Sequence, residues 1–384
     1  MLAPPFLCAT LCFLHASALK KISPRFHKRG YKLRTLAAPR TFRQSSRVQD
    51  LRNTKRNLIL VLLLGVGLLV WQSLDRDKLV VYCAHDAVFA EAILRDFEKQ
   101  TGIPVVVKFD TEAAKSLGLA EQIIREAAHP RCDVFWNNEL LGTLDLAARG
   151  LLDSHKGTGW LRIPAQFRDA DGRWTGFAAR LRVIIQRNDR PELDAAWLLT
   201  GDLTRFAMAK PLYGTTLTHY TVLWHEWGAA RLQQWHADTR RRGLREVPGN
   251  AQSKDTVASG ACDAAFTDTD DFFEAKDEGK PVTMRPAQLE NGQTICIPNT
   301  VAIIRNAPHA ENARKLADFL LSAKTELALA RSKSRQIPLG PVEESQLPQE
   351  VRALLPHAAR GYPLTGLLPA RNECLAWLKR EYLK

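Results

Sequence analysis

From Leu79 onward, short runs of β-branched and aromatic residues alternate with stretches in which apolar side chains recur every three or four positions. That alternation of strand and helix periods is the pattern of a mainly parallel sheet covered by helices, an α/β fold. Leu79–Tyr82 reads as a first strand, and Ala87–Thr101 as a helix with Phe89, Ala92, Ile93 and Phe97 on one face and Gly102 just past its end. Ile103–Phe109 is the next strand, Leu117–Ala128 a helix with Ile123 and Ile124 inward, Cys132–Trp136 a third strand, and Leu140–Arg149 a helix stopped by Gly150. Three such units in succession wind right-handedly into one sheet.

The pattern then changes. Phe177–Gln186 is long for a strand, which suggests that it leaves one lobe and enters another. Beyond it come a strand at Met208–Tyr213, a long helix from about His219 to Arg242, a strand at Asp263–Phe266 and a helix at Asp270–Gly279. Thr294–Arg305 is again long and strand-like, a candidate return crossing. Ala310–Ser332 is amphipathic through Leu316, Phe319, Leu320 and Leu327, and the Pro-rich tail from Ile337 to Pro369 reads as extended packing before a last short helix. Two crossings make a hinge between two lobes, expected at 79–180 with 295–325 and at 181–294 with 326–384. A chain of 384 residues is long enough for two such cores after a leader.

The net charge of +13 invites a nucleic-acid partner until it is located. Residues 1–72 hold 13 Lys and Arg against Asp50 alone, so that segment carries +12 and the rest +1. A nearly neutral body has no general electrostatic reason to grip a phosphate backbone, and no nucleic acid is expected. The basic leader, 1–78, contains the apolar run Leu58–Trp71 behind Arg43, Arg47, Arg52, Lys55 and Arg56. Its 14 residues suit the core of a signal peptide better than a full span, which takes about 20. Gln72-Ser73-Leu74-Asp75 offers no small-x-small cleavage site, so an uncleaved anchor is expected, with the body periplasmic or at the cell surface. Seven scattered Cys without a CxxC pair indicate neither a zinc site nor a dense disulfide framework.

In open α/β sheets, ligands bind beyond the carboxyl ends of strands, where helix N-termini present unpaired N–H groups. Polar residues fall at four such junctions: Cys83-Ala84-His85-Asp86, Asn137-Asn138-Glu139, Gly214-Thr215-Thr216 and Thr267-Asp268-Thr269-Asp270-Asp271. Asp, Asn and Thr are also ordinary helix caps, so one such loop would mean little; four loops in two lobes mean more.

Those loops carry a resemblance. VYCAHDAVFAEAILRDFEKQTGIPVVV (81–107), CDVFWNNELLGTLDLAARGLL (132–152), FAARLRVIIQR (177–187) and DAAFTDTDDFFEAK (263–276), with Ala310–Leu329 and Arg335–Leu339, resemble the ferric-iron-binding proteins of bacterial ABC importers. These are a type II periplasmic binding-protein family. The resemblance implies a two-lobed fold with a hinge of crossing strands, a monomer that closes on a ligand in its cleft, and delivery to a membrane permease. It puts the family's first-loop ligand on Asp86 with His85 adjacent, its acidic ligand on Asn138 with Glu139 next, and its tyrosine pair on Thr269 and Asp270. Neither of those two residues is a phenolate donor, and of the six Tyr, Tyr82, Tyr213 and Tyr220 fall nearest the expected cleft loops. Arg180 and Arg182 match the family's arginine pair, where a guanidinium reaches an anion, and Thr216 and Asn250 fall near its anion-contacting loops. The expected cargo is therefore a small anionic solute, or a metal ion with an anion, held by oxygen ligands drawn from Asp86, Glu139 and Asp270 and flanked by Asp268.

Enzyme readings fail on the motifs. His225-Glu226 lacks the second His at 229, which is Ala, so His219, His225 and His236 read as surface histidines. The chain has no G-x-S-x-G elbow and no Walker loop. The reading from another class is a membrane-anchored solute sensor that uses the same two lobes.

Overall fold

The computed structural model describes residues 78–110, 117–191, 198 and 200–382, with 56–59 and 61. Most of the leader expected over 1–78, including most of its apolar run, lies outside the described residues. Among the described residues no helix is long and apolar enough to cross a membrane. The chain divides into two units, Met1–Leu68 and Leu69–Lys384, and the sheet with its covering helices belongs to the second.

The strands are β1 (Leu79–Cys83), β2 (Val105–Phe109), β3 (Val134–Asn137), β4 (Leu152–Asp153), β5 (Thr175–Arg187), β6 (Phe206–Ala209), β7 (Arg245–Val247), β8 (Ala264–Asp268), β9 (Val282–Pro286) and β10 (Cys296–Ile304). The helices are α1 (Ala87–Thr101), α2 (Leu117–Arg125), α3 (Leu141–Ala148), α4 (Thr158–Arg162), α5 (Gly214–Trp227), α6 (Ala229–Arg241), α7 (Asn250–Ala258), α8 (Thr269–Asp277), α9 (Ala310–Leu320), α10 (Ala323–Arg331), α11 (Gln349–Ala358) and α12 (Leu368–Tyr382). Strand order is β2-β1-β3-β10-β5-β8-β6-β7, with β4 on β10 and β9 on β5. The outer pairs are parallel, β1 with β2 and β3, and β6 with β7 and β8. The two long strands run antiparallel to their neighbours.

β5 performs the crossing that its length suggested. Thr175–Leu181 pairs with β10 in the first half-sheet, and Arg182–Arg187 pairs with β8 and β9 in the second. β10 makes the return. Each half has its own core. Phe97, Trp136, Phe177 and Leu316 pack in the first, Phe206, Tyr220, Phe266 and Trp377 in the second. Burying apolar groups of this size stabilises each half by about 1.5–3 kcal/mol for each large side chain.

Five expectations are corrected. The helix expected over His219–Arg242 begins at Gly214 and breaks into α5 and α6 at Gly228, whose φ of 79° a side chain would disfavour. Its first turn, GTTLT, has no apolar period to announce it. The helix expected over Ala310–Ser332 breaks between α9 and α10, where the Ser322 hydroxyl accepts from Thr325 N and caps the new helix. His219 and His236 are buried rather than on the surface, because ten consecutive residues of α5, Thr215–Trp224, are enclosed, and the Tyr220 hydroxyl bonds the His236 ring of α6 at 3.0 Å. The last helix is 15 residues long, and the tail does not join the second half alone. Leu329, Tyr362 and Leu367 pack in first-half cores, while Cys374, Trp377 and Leu378 of α12 pack in the second.

Candidate functional site

Where the two half-sheets meet, a cleft partly open to solvent receives the carboxyl ends of strands from both sides. The first half contributes Asp86, at the start of α1, and Asn138, after β3. The second half contributes Lys210 and Tyr213 after β6, Gly214, Thr215 and Thr216 in the first turn of α5, Gly249 and Asn250 at the start of α7, and Asp268, Asp270 and Asp271 at the start of α8. Arg180 reaches the cleft from β5.

Beneath this surface lies a buried polar floor. Arg182, fully enclosed, donates through Nη1 to Asp268 Oδ1 (2.8 Å), Asn250 Oδ1 (3.1 Å) and Thr215 Oγ1 (3.2 Å). The Thr215 hydroxyl and the Asn250 amide both donate to Asp268 Oδ2, at 2.6 and 2.9 Å, and the Thr216 hydroxyl donates to Asn250 Oδ1 at 3.2 Å. One guanidinium thus fixes the first turns of α5, α7 and α8 against one another. His219 is neutral beside it, held down to about 3 by burial and by the Arg182 charge.

Arg180 is clamped separately. Its Nη1 donates to Asp270 Oδ2 at 3.1 Å and its Nη2 to Asn299 Oδ1 at 3.3 Å. Burial opposes its charge, but Asp270, Asp268, Asp86 and Asp271 outweigh that and hold its pKa above the ordinary value. Asp271 closes a capping box on α8, accepting from the Thr267 hydroxyl at 2.6 Å and from Asp268 N at 3.4 Å.

The structure therefore brings Asp86, Asn138, Arg180, Thr216, Asn250, Asp268 and Asp270 together in one cleft. Three sequence candidates stand elsewhere. His85 is buried and bonded to Gln336 at 3.0 Å. The Thr269 hydroxyl accepts from Leu181 N of β5 at 3.3 Å. Glu139 turns back on its own helix, accepting from Leu141 N (2.5 Å), Gly142 N (2.7 Å) and Asn137 Nδ2 (3.2 Å). The metal set Asp86, Glu139 and Asp270 is accordingly not assembled. The acidic group close enough to share an ion, among the described residues, is Asp268, Asp270 and Asp271, with oxygens within 4.8 Å of one another. Of the three tyrosines weighed, Tyr213 lines the cleft and donates to Pro248 O at 2.9 Å; Tyr82 donates to Glu126, and Tyr220 lies in the second-half core.

The family model for bacterial extracellular solute-binding proteins matches residues 79–332, the span that builds both half-sheets and the cleft. The chain belongs to that family. Solved structures agree in fold. Iron-bound HitA from Pseudomonas aeruginosa superposes with a TM-score of 0.69 at 22% identity, over 79% of this chain and 98% of that one. The Trichodesmium protein IdiA (FutA), in complex with iron and citrate, gives 0.63 at 17%, over 80% and 100%. AfuA from Actinobacillus pleuropneumoniae, with exogenous fructose-6-phosphate bound, gives 0.64 at 15%, over 79% and 98%. Such relatives are substrate-binding proteins and not enzymes.

Sequence reasoning missed Lys210 and Gly249 in this solute-binding protein. Extending the strand expected at Met208 as far as Tyr213 hid the first, whereas β6 ends at Ala209 and leaves Lys210–Tyr213 as the strand-to-helix loop. The charged residue one step past a short apolar run, FAMA-K, was the available signal.

Proposed function

We propose that this protein is the extracytoplasmic receptor of an ABC importer, handing its cargo to a membrane permease. We further propose that the cargo is a small solute with an anionic group at one end and hydroxyl donors at the other. One observation carries this reading: the first turns of α5 and α7, neither with a side-chain cap from its N-cap residue, open onto the cleft that Asp86 and Asn138 face from the opposite half. First-turn N–H groups have no intrahelical acceptor and sit at the positive end of the helix dipole, so a phosphate or carboxylate is stabilised there. Lys210 adds a full positive charge beside them. Asp86 and Asn138 supply acceptors for hydroxyl groups across the cleft. A sugar phosphate has this two-ended form, and it is the type of molecule bound to the AfuA relative.

A metal cargo is the second reading, favoured by the proximity of Asp268, Asp270 and Asp271. Two of these carboxylates already pair with Arg182 and Arg180, so an ion in their midst would share their charge with two guanidinium groups and be repelled by both. An anion against α5 and α7 meets no such repulsion. The lobes, 79–180 with 295–325 and 181–294 with part of the tail, are expected to close when the cargo touches both walls.

Native mass spectrometry of protein purified without chelator, with calorimetric titration of fructose 6-phosphate, inorganic phosphate and ferric citrate, tests the reading. Bound organic phosphate, or saturable binding of fructose 6-phosphate, supports it. Retained iron with no response to either phosphate overturns it in favour of the metal.

A further inference from the structure

Three chain segments cross at one point between the halves. β5 passes through Ala178, β10 slips register against it between Ile297 and Asn299, and Ile337 pairs with Ala179 through two backbone bonds of 2.7 and 2.8 Å. At this crossing, side chains form a continuous run of hydrogen bonds. Arg180 donates to Asp270 and to Asn299 Oδ1; Asn299 Nδ2 donates to the Ala178 carbonyl oxygen and to Gln336 Oε1 (2.7 Å); Gln336 Nε2 lies 3.0 Å from His85 Nε2. Arg180, Asn299, Gln336 and His85 are all buried, yet neither Asn299 nor Gln336 lines the cleft.

The direction of the run is fixed from one end. A guanidinium only donates, so Asn299 must turn its oxygen to Arg180 and its amide to Ala178 and Gln336. Gln336 must then give its oxygen to Asn299 and its N–H to His85. It follows that His85 Nε2 accepts, and that the neutral ring carries its proton on Nδ1. Gln336 has little freedom to swing away. Ala178 and its neighbour Arg335 hold φ values of 43° and 44°, which residues with a side chain seldom adopt, and Arg335 is tied to Asp277 at the far end of α8 by bonds of 2.7 and 2.9 Å.

We propose that Asn299 and Gln336 are positioning residues for cargo binding. They hold Arg180 against Asp270 on the cleft wall and tie that pair, through His85, to the loop that carries Asp86 on the other wall. This rests on the cleft being the solute site. The arrangement makes one hydrogen-bonded assembly of groups that belong to both halves, so the crossing point sets the angle at which Arg180 meets the cargo.

Two measurements on the full chain in detergent test it. Long-range 1H–15N spectra, with His85 assigned by comparison with His85→Gln, report which ring nitrogen carries the proton. The wild type should show His85 protonated on Nδ1 alone, and Gln336→Glu, once ionised, should bring a proton onto Nε2, because an ionised carboxylate at that position can only accept. In titrations with fructose 6-phosphate, Gln336→Met should weaken binding about tenfold, the size of one hydrogen bond to a charged group, while Gln336→Glu, which still accepts from Asn299, stays within about threefold of wild type. A wild-type His85 protonated on Nε2, or wild-type affinity in Gln336→Met, overturns the proposal. If Gln336→Met does not fold, the tautomer of the wild type and of Gln336→Glu decides alone. If the wild type binds no phosphate ester, the functional reading fails while the spectra still judge the relay.

Discussion

The helix that follows β3 and those that follow β6 and β7 all begin at the carboxyl end of a strand, yet their first turns are filled differently. In α3 the Glu139 carboxylate folds back onto the N–H groups of Leu141 and Gly142 and is buried there. A side chain at residue 142 would push on this plug, since a Cβ would stand 2.7 Å from Glu139 Oε1 and 3.3 Å from Asn137 Nδ2. In α5 and α7 the corresponding turns open on Gly214-Thr215-Thr216 and Gly249-Asn250, and the N-cap residue supplies no side-chain acceptor. A helix end plugged by its own anion serves stability; one left open to a cleft offers its positive end to an external anion. On the proposed function the same physical feature has opposite uses in the two halves of this solute-binding protein, and substitutions should separate them.

The largest effect is expected under the open ends, where Asp268 holds them in place. Asp268→Ala leaves the enclosed Arg182 guanidinium without its counter-charge and should cost about 3–5 kcal/mol of stability in urea unfolding. Binding should fall as well, because α5, α7 and α8 lose their common tie. Full stability in this variant would show that Arg182 does not organise the open side.

At the plugged end, Glu139→Ala orphans two buried N–H groups and leaves the Asn137 amide with its bond to Thr143 alone, for an expected loss of about 2–3 kcal/mol. The folded protein should bind its cargo with unchanged affinity. Lost affinity with intact stability would make Glu139 a ligand after all and erase the contrast. Lys210→Ala is the converse at the open end: exposed and lining the cleft, it should leave the melting temperature unchanged while weakening fructose 6-phosphate binding roughly fivefold, less so at high salt.

These cases mark the limit of what the chain's pattern discloses. The apolar period and Gly102 delimit α1 at Ala87–Thr101, and the length of the run around Phe177–Gln186 announces a crossing strand, because both are local consequences of backbone geometry. Placement of polar residues at strand ends likewise found Asp86, Asn138, Thr216, Asp268 and Asp270 in the cleft, while Arg180 and Asn250 came from the family resemblance. It could not tell which carboxylate turns back on its own helix, as Glu139 does, and which faces the cleft, as Asp270 does. Nor could alternation along β5 decide between a solvated face and a cleft for Arg180 and Arg182. Their partners Asp270 and Asp268 lie 90 and 86 residues away, and only the pairing of β5 with β8 brings them within reach. His219 was misplaced for a related reason: polar residues on a helix covered on every side leave no apolar stripe to read.

The smallest effect expected concerns the plug's own charge. Burial raises the pKa of Glu139 above its ordinary 4.5, and this outweighs the bonds from Gly142 and Leu141 and the charge of Arg371, which pull the other way. Between 4.5 and the raised folded value, the native state binds more protons than the unfolded chain, so this group's contribution to stability falls as pH rises. Measured against Glu139→Gln, which cannot titrate there, wild-type stability should therefore gain as pH falls through that window and level off below 4.5. The opposite slope would mean that the first turn of α3 stabilises the carboxylate more than burial penalises it. The plugged end would then be as strong an anion site as the open ends are proposed to be, and the two would differ only in whether the anion belongs to the chain.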